Sequence, residues 1–311
     1  MRIKTALGVS LLLFVAAFLS GEPPVRLAAI PETPRPGEPV TLGLAAVPTG
    51  PFRAVLLDRR GQRLSAAAFF DLGAAAADGQ AVQAAILAIP STAGSGPARI
   101  LAERNGNRIA EVPITIAGRD FASEEIPLDQ GNTALRTQPD PQKTAESARL
   151  WAIISRTGTE ILAPAAFVSP VASNRRTSFF GDRRIYRYAN GSAETAIHAG
   201  VDFGVPRGTA VRACAPGRVV LAGQRIVTGN SVIIEHLPGV YSLYYHLDSV
   251  EVREGALVDA GTLLGASGST GLSTGPHLHW EIRVAGENAD PDAFTARAVL
   301  DKAAILGKLD N

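Results

Sequence analysis

TAVRACAPGRVVLAG (residues 209–223), NSVIIEH (230–236), VYSLYYHL (240–247) and GTLLGAS (261–267) are four strand-like runs bounded by glycine and proline. β-branched and aromatic residues dominate them, and no helical periodicity separates them before the tail that follows Pro291. Runs so close together leave no room for crossover helices, so the expected fold is mainly β, with a C-terminal antiparallel sheet or barrel-like sandwich. All five histidines of the 311-residue chain (His198, His236, His246, His277 and His279) fall in this region. The motifs that carry four of them are HAGVD (198–202), YYHL (244–247) and GPHLHW (275–280).

Moving outward, residues 24–118 show further short apolar runs, among them VTLGLAAV, FRAVLLD, AVQAAILAI and EVPITIAG. Asp58–Gly61 and Asn105–Gly106 supply residues tolerant of positive φ where hairpins reverse. An immunoglobulin-like β-sandwich is expected here, acting as a spacer or docking module, since the region holds no histidine and no cysteine. Residues 119–163 are more polar and read as a linker with one helix. Asp140 is its N-cap and Pro141 its first residue, with Ala145, Ala148, Trp151 and Ile154 on one face before Gly158. Residues 164–300 make the C-terminal domain. At its start Arg175, Arg176, Arg183, Arg184 and Arg187 lie among aromatic residues, either as a solvated loop or as a patch for substrate carboxylates.

Arg2 and Lys4 precede an apolar run from Ala6 to Leu19, so residues 1–21 read as a signal peptide or an uncleaved anchor. The expected compartment is outside the cytoplasm, in the periplasm or cell envelope. Thirty basic residues against 29 acidic give a net charge of +1, which excludes a whole-protein field for nucleic acid or anionic lipid. The single Cys214 excludes a disulfide framework and makes a thiolate metal site unexpected. It reads as a small core group.

Alternation along a strand puts His198 and Asp202 on one face, and His277 and His279 on one face. Imidazoles two residues apart stand roughly 7 Å from each other, and zinc–nitrogen bonds are about 2.0–2.1 Å, so both members of the pair could reach one metal. A catalytic zinc site takes three protein ligands and leaves a position for water. With His198 and Asp202 available, one of His277 and His279 is better used as an acid/base group, and spacing does not say which. The same alternation places His246 with Ser242 and Tyr244, on a face that can line the same cleft, and His236 with Val232 and Ile234 in a structural or supporting role.

At these motifs, together with GSTGLSTGPHLHWE (268–281) and the upstream TSFFGDRRIYRYANG (177–191), the chain resembles the lysostaphin/LytM-type zinc metalloendopeptidases of peptidase family M23 that carry an N-terminal β domain. The resemblance covers about residues 175–295. It implies His198, Asp202 and His279 as ligands of one zinc ion (Zn2+) and His246 and His277 as catalytic histidines. It implies hydrolysis of peptide cross-links in bacterial peptidoglycan by metal-activated water. The partners expected are those cross-link peptides and a regulatory cell-envelope protein, with no nucleic acid, and the membrane only through an N-terminal anchor. The alternative is a non-enzymatic module that binds peptidoglycan or activates an amidase. The glycines at 265, 268, 271 and 275 serve either close approach to a peptide or tight turns.

Overall fold

The computed structural model describes residues 24–46 and 50–311; the expected export segment, residues 1–21, lies outside them. Eight strands come first: β1 (Arg26–Ile30), β2 (Pro39–Ala45), β3 (Arg53–Leu57), β4 (Arg63–Ala68), β5 (Phe70–Ala75), β6 (Ala81–Ala88), β7 (Gly96–Arg104) and β8 (Asn107–Ile116). They form two antiparallel sheets, ordered β1-β2-β6-β5 and β4-β3-β7-β8. The turns form where the sequence places them, with Gly61 at φ +80° after Asp58, and Asn105 and Gly106 at φ +51° and +78°.

Leu42, Leu44, Leu56, Leu87 and Ile100 fill the space between the two sheets. In β2 and β6 the apolar residues run on without alternation, which is the pattern of strands covered on both faces. Ala84, Ile86 and Ala88 on the outer face of the first sheet join one apolar cluster with Phe203, Trp280, Phe294 and Ile305 of the C-terminal half.

Next come β9 (Ser123–Pro127), α1 (Gln130–Thr137) and α2 (Pro141–Ile154). The segment expected as a linker with one helix thus holds a strand and two helices. Asp140 caps α2 as expected, accepting from the backbone N–H groups of Gln142 and Lys143. The buried face differs from the expected one: Leu150, Ile153 and Ile154 pack inward, while Trp151 is half exposed. The pattern misleads there because a helix on a sheet needs only a narrow apolar stripe, and the larger Trp151 lies across its edge, against Arg283.

The remaining strands are β10 (Arg176–Ser178), β11 (Arg183–Arg187), β12 (Ala193–Ile197), β13 (Gly200–Phe203), β14 (Ala210–Arg212), β15 (Gly217–Arg225), β16 (Gly229–Leu237), β17 (Val240–Val250), β18 (Leu257–Val258), β19 (Leu263–Ser267), β20 (Leu278–Val284) and β21 (Glu287–Ala289). Helices α3 (Pro291–Ala296) and α4 (Lys302–Leu309) end the chain. The central sheet runs β10-β13-β20-β17-β16-β15-β18, while β12-β11-β9 forms a small separate sheet. Helix α4 returns to the N-terminal sandwich, where Ile305 and Leu309 lie against the bare Cα of Gly43: a Cβ there would come within 2.4 Å of Ile305. Asp290, at the start of α3, pairs with Arg119 at 2.7 Å.

Register sorts the central sheet into two faces, because residues directly opposed across antiparallel strands share a side. Asp202 opposes His279, which opposes Tyr245. Val201 and Tyr244 both oppose Trp280. The first set forms the site face, and α2 covers its continuation over Leu243, Tyr241 and Ile233.

The second set faces the core and includes His236, which is wholly buried. Its Nδ1–H donates to the Pro216 carbonyl at 2.7 Å, and burial pushes its pKa down to about 4, so Nε2 carries a lone pair. Ser242 Oγ, 2.7 Å away, donates to that lone pair. Tyr244 OH donates to Ser242 at 3.0 Å and accepts the Cys214 N–H at 2.9 Å. Every member of the chain is satisfied, and none reaches the site face. His236 therefore has a structural part. We expect Ser242→Ala to destabilise folding by about 1–3 kcal/mol, the cost of stranding two buried polar groups, while leaving metal affinity unchanged; denaturant unfolding and a metal titration of the same variant check this.

Candidate metal centre

Three ligating atoms converge at the head of β13 and β20. Asp202 Oδ1 lies 3.1 Å from His198 Nε2 and 2.8 Å from His279 Nδ1, and the two imidazole nitrogens are 3.0 Å apart. Among the described residues these three are the group of His, Cys, Asp and Glu side chains arranged to hold a metal ion, and all three are buried. His198 falls just before β13 rather than in it, yet its imidazole still meets Asp202.

The outward atoms of the trio are also engaged. His198 Nδ1 is 2.8 Å from the Phe179 carbonyl, which only accepts, so the proton is on Nδ1 and the Nε2 lone pair faces Asp202 and His279. Asp202 Oδ2 accepts from Arg184. His279 Nε2 lies 3.3 Å from Glu281, whose other oxygen accepts from Arg283. Burial disfavours the charge on His279, but hydrogen bonds to Asp202 and Glu281 outweigh it and push the pKa up to about 9. Burial likewise opposes ionisation of Asp202, and hydrogen bonds from His198 and His279 hold its carboxyl well below the usual range. Burial lowers His198.

These protonation states bear on whether a metal fits. With His198 neutral, the single Nδ1–H of His279 serves two acceptors at once, Asp202 Oδ1 and His198 Nε2. A dication replacing that proton satisfies all three atoms. Donors at 2.0–2.1 Å from a tetrahedral zinc stand roughly 3.3 Å from one another, close to the separations found. Two imidazoles and one carboxylate are a zinc donor set.

His246 reaches this site by a route that strand alternation does not give. Ser242 and Tyr244, expected to share its face, point into the core with His236. The expectation fails because His246 adopts φ +61° and β17 bulges against β16, where Asn230 opposes Leu247 but Val232 opposes Tyr244. The extra residue turns the His246 ring to the site face. There its centroid lies 4.8 Å from that of His277 and 6.3 Å from that of His279.

Both of these histidines are aimed by one loop, residues 268–277. His246 Nδ1–H donates to the Thr270 carbonyl and His277 Nδ1–H to the Gly275 carbonyl, each at 2.8 Å. Each is left with a free Nε2, and that of His277 is 3.9 Å from Asp202 Oδ1. Burial, with the neighbouring histidines, pushes His246 down to about 3; burial also lowers His277. Two glycines explain how the loop lies so close. A Cβ on Gly268 would fall 2.8 Å from the His246 carbonyl oxygen, and one on Gly271 2.4 Å from the Gly229 nitrogen. At these two positions close approach is to β17, which carries His246, and to its neighbour β16.

The arginine cluster is not a free patch. Arg176 pairs with Asp292, Arg184 with Glu124 and Asp202, and Arg187 with Glu125, while Arg175 and Arg183 donate to backbone carbonyls. Alternation reading missed Glu281, although it stands two residues beyond His279 on the same strand face. It also missed Tyr245, stacked on His279 with centroids 5.4 Å apart.

A buried His-Asp-His trio arranged to hold a metal ion thus lies at a sheet edge beneath two further imidazoles. The model of peptidase family M23 matches residues 196–291, which span the whole constellation. The C-terminal domain belongs to that family. DD-carboxypeptidase/endopeptidase Mpg of Neisseria meningitidis is 40% identical over 124 residues, 40% of this chain and 28% of that protein. Peptidoglycan DD-endopeptidase ShyA of Vibrio cholerae is 39% identical over 118 residues, 38% of this chain and 27% of that protein. The chain thus matches little more than a quarter of the length of these relatives. A crystal structure from Pseudomonas aeruginosa, described as an M23 peptidase, has the same fold with a TM-score of 0.57 at 23% identity, covering 84% of this chain and 94% of that one. Among the described residues no helix is long and apolar enough to cross a membrane.

Because His279 holds a proton up to about pH 9 in the metal-free protein, a metal must displace it. Affinity is therefore expected to rise by up to tenfold per pH unit between pH 7 and 9 and to level off above. Zinc titrations of the full chain against a competing chelator at three pH values check this, and a flat profile contradicts it.

Proposed function

We propose that the protein is a zinc-dependent endopeptidase that hydrolyses peptide cross-links of bacterial peptidoglycan in the periplasm or cell envelope. The observation that carries this is the pairing of a three-donor site, His198, Asp202 and His279, with two neutral imidazoles whose free nitrogens lie beside it. Membership of the family and the names of the Neisseria and Vibrio relatives support the substrate class. An amidase-activating or purely binding module has no use for two acid/base groups held in fixed tautomers. The sandwich of residues 24–118 we take as immunoglobulin-like, and residues 1–21 as the export signal or anchor.

Three protein donors leave a coordination position open, and zinc bound there polarises a carbonyl and acidifies water. The remaining roles fall to side chains. Thr270 and Gly275 fix the protons of His246 and His277 on Nδ1, so both enter the reaction as acceptors at Nε2. His277, nearer Asp202, takes the proton of the attacking water. Once protonated, an imidazole donates, so the pair can steady the oxyanion and return the proton to the leaving amine. Asp202 would hold the metal through Oδ1, because Arg184 occupies Oδ2. Burial of the trio excludes bulk water and strengthens each of these interactions.

The test combines metal analysis with mass spectrometry of muropeptides released from purified sacculi. We expect His279→Ala and Asp202→Ala to lose zinc and activity together, and His246→Ala to retain zinc while turnover falls by about 10²–10⁴-fold. A zinc-loaded wild-type protein that releases no cross-linked muropeptide overturns the proposal, and cleavage of soluble peptides in its place redirects it to a different substrate.

A further inference from the structure

The catalytic constellation lies within residues 196–291, yet two of its three converging donors are braced by a side chain more than seventy positions upstream. Strand β9 pairs in parallel with β11, which places Glu124 opposite Arg184. Glu124 Oε1 accepts from Arg184 Nε at 2.8 Å, and the same guanidinium donates through Nη2 to Asp202 Oδ2. That oxygen of Glu124 also accepts from Ser178 Oγ at 2.8 Å. Ser178 opposes Asp202 across β10 and β13, and its Oγ is 3.2 Å from His198 Nδ1.

The donor directions are consistent around this circuit. Ser178 spends its one hydroxyl proton on Glu124, so the lone pairs of its oxygen share the Nδ1–H of His198 with the nearer Phe179 carbonyl. Arg184 divides its fork between two carboxylates, one of which is a donor of the metal trio. Without Glu124, the Ser178 hydroxyl turns to its remaining acceptor, Asp182 Oδ2 at 3.4 Å, and the Arg184 guanidinium has only Asp202 as a carboxylate partner. It could then slide to engage both Asp202 oxygens and draw Oδ1 away from the imidazoles.

We propose that Glu124 is a positioning residue for the metal centre, acting through Arg184 on Asp202 and through Ser178 on His198. The inference rests on the metal-site reading above. It makes the segment before the family domain part of the site's outer coordination shell. Residues that orient metal ligands in this way typically change metal affinity by about 10–100-fold when lost.

The test is a zinc titration of the full chain against a chromophoric chelator, at one pH, with thermal melting of each variant. Glu124→Ala is expected to weaken zinc binding by about 10–100-fold. Glu124→Gln keeps an acceptor for both Ser178 and Arg184 and is expected to lose less than Glu124→Ala. Glu125→Ala is the control: its carboxylate lies on the same strand but pairs with exposed Arg187, and its zinc affinity is expected to match wild type. All three should melt close to wild type, because β9 is held to β11 by backbone. In an Arg184→Ala background, adding Glu124→Ala should weaken binding by a smaller factor than it does alone. Unchanged affinity in Glu124→Ala, or an equal loss in Glu125→Ala, overturns the inference and leaves the metal site intact. A wild-type chain that binds no zinc overturns the metal-site reading itself.

Discussion

A carboxylate buried at the head of a sheet has to be compensated, and Asp202 is compensated from both sides. Isolated burial of such a charge costs several kcal/mol, so each oxygen needs a partner. Arg184 takes one and two imidazoles take the other. Much of the surrounding architecture follows from this. The register of β13 against β20 brings His279 opposite Asp202, the turn before β13 brings His198 over it, and β11 exists where it does to deliver Arg184. The trio leaves one proton shared by two acceptors, an arrangement that fits a bound cation.

Above it the two remaining histidines show a different economy. Neither is held by a side chain with a strong charge. Both are oriented by carbonyls of one loop, and the loop is pressed against the strands by glycines at 268 and 271. A backbone carbonyl fixes a tautomer without shifting the imidazole strongly towards its charged form, so the histidines remain neutral. The site thus separates its tasks: side-chain charges organise the donors of the trio, and neutral backbone dipoles organise the two imidazoles above it.

Much of this was legible in the sequence, to the extent that it followed period-two alternation. Asp202 and His279 share a face because their strands are regular where they meet. The concentration of imidazole between residues 198 and 279 points to a metal by itself. His246 is the instructive failure. Its side chain reaches the site only because one residue adopts left-handed backbone in a strand of aromatic residues, and nothing in YYHL announces a bulge. Alternation grouped it with Ser242 and Tyr244, and those two point away from the trio. Glu124 was illegible for another reason: a parallel pairing across sixty residues leaves no local pattern. The helix at Asp140–Pro141 was legible from its cap, but α1 was not, and the burial of Trp151 was overestimated because size is a poor guide to which side of an apolar stripe a residue takes.

The outer face of the N-terminal sandwich carries a consequence for how the molecule comes apart. Ala84 and Ile86 share a single apolar cluster with Trp280 and Phe294, and the last helix of the chain docks Ile305 and Leu309 beside Gly43. An apolar cluster shared in this way couples the two halves thermodynamically. Heat or denaturant should therefore melt sandwich and peptidase in one cooperative step, and a protease that nicks the intervening segment should leave the fragments associated.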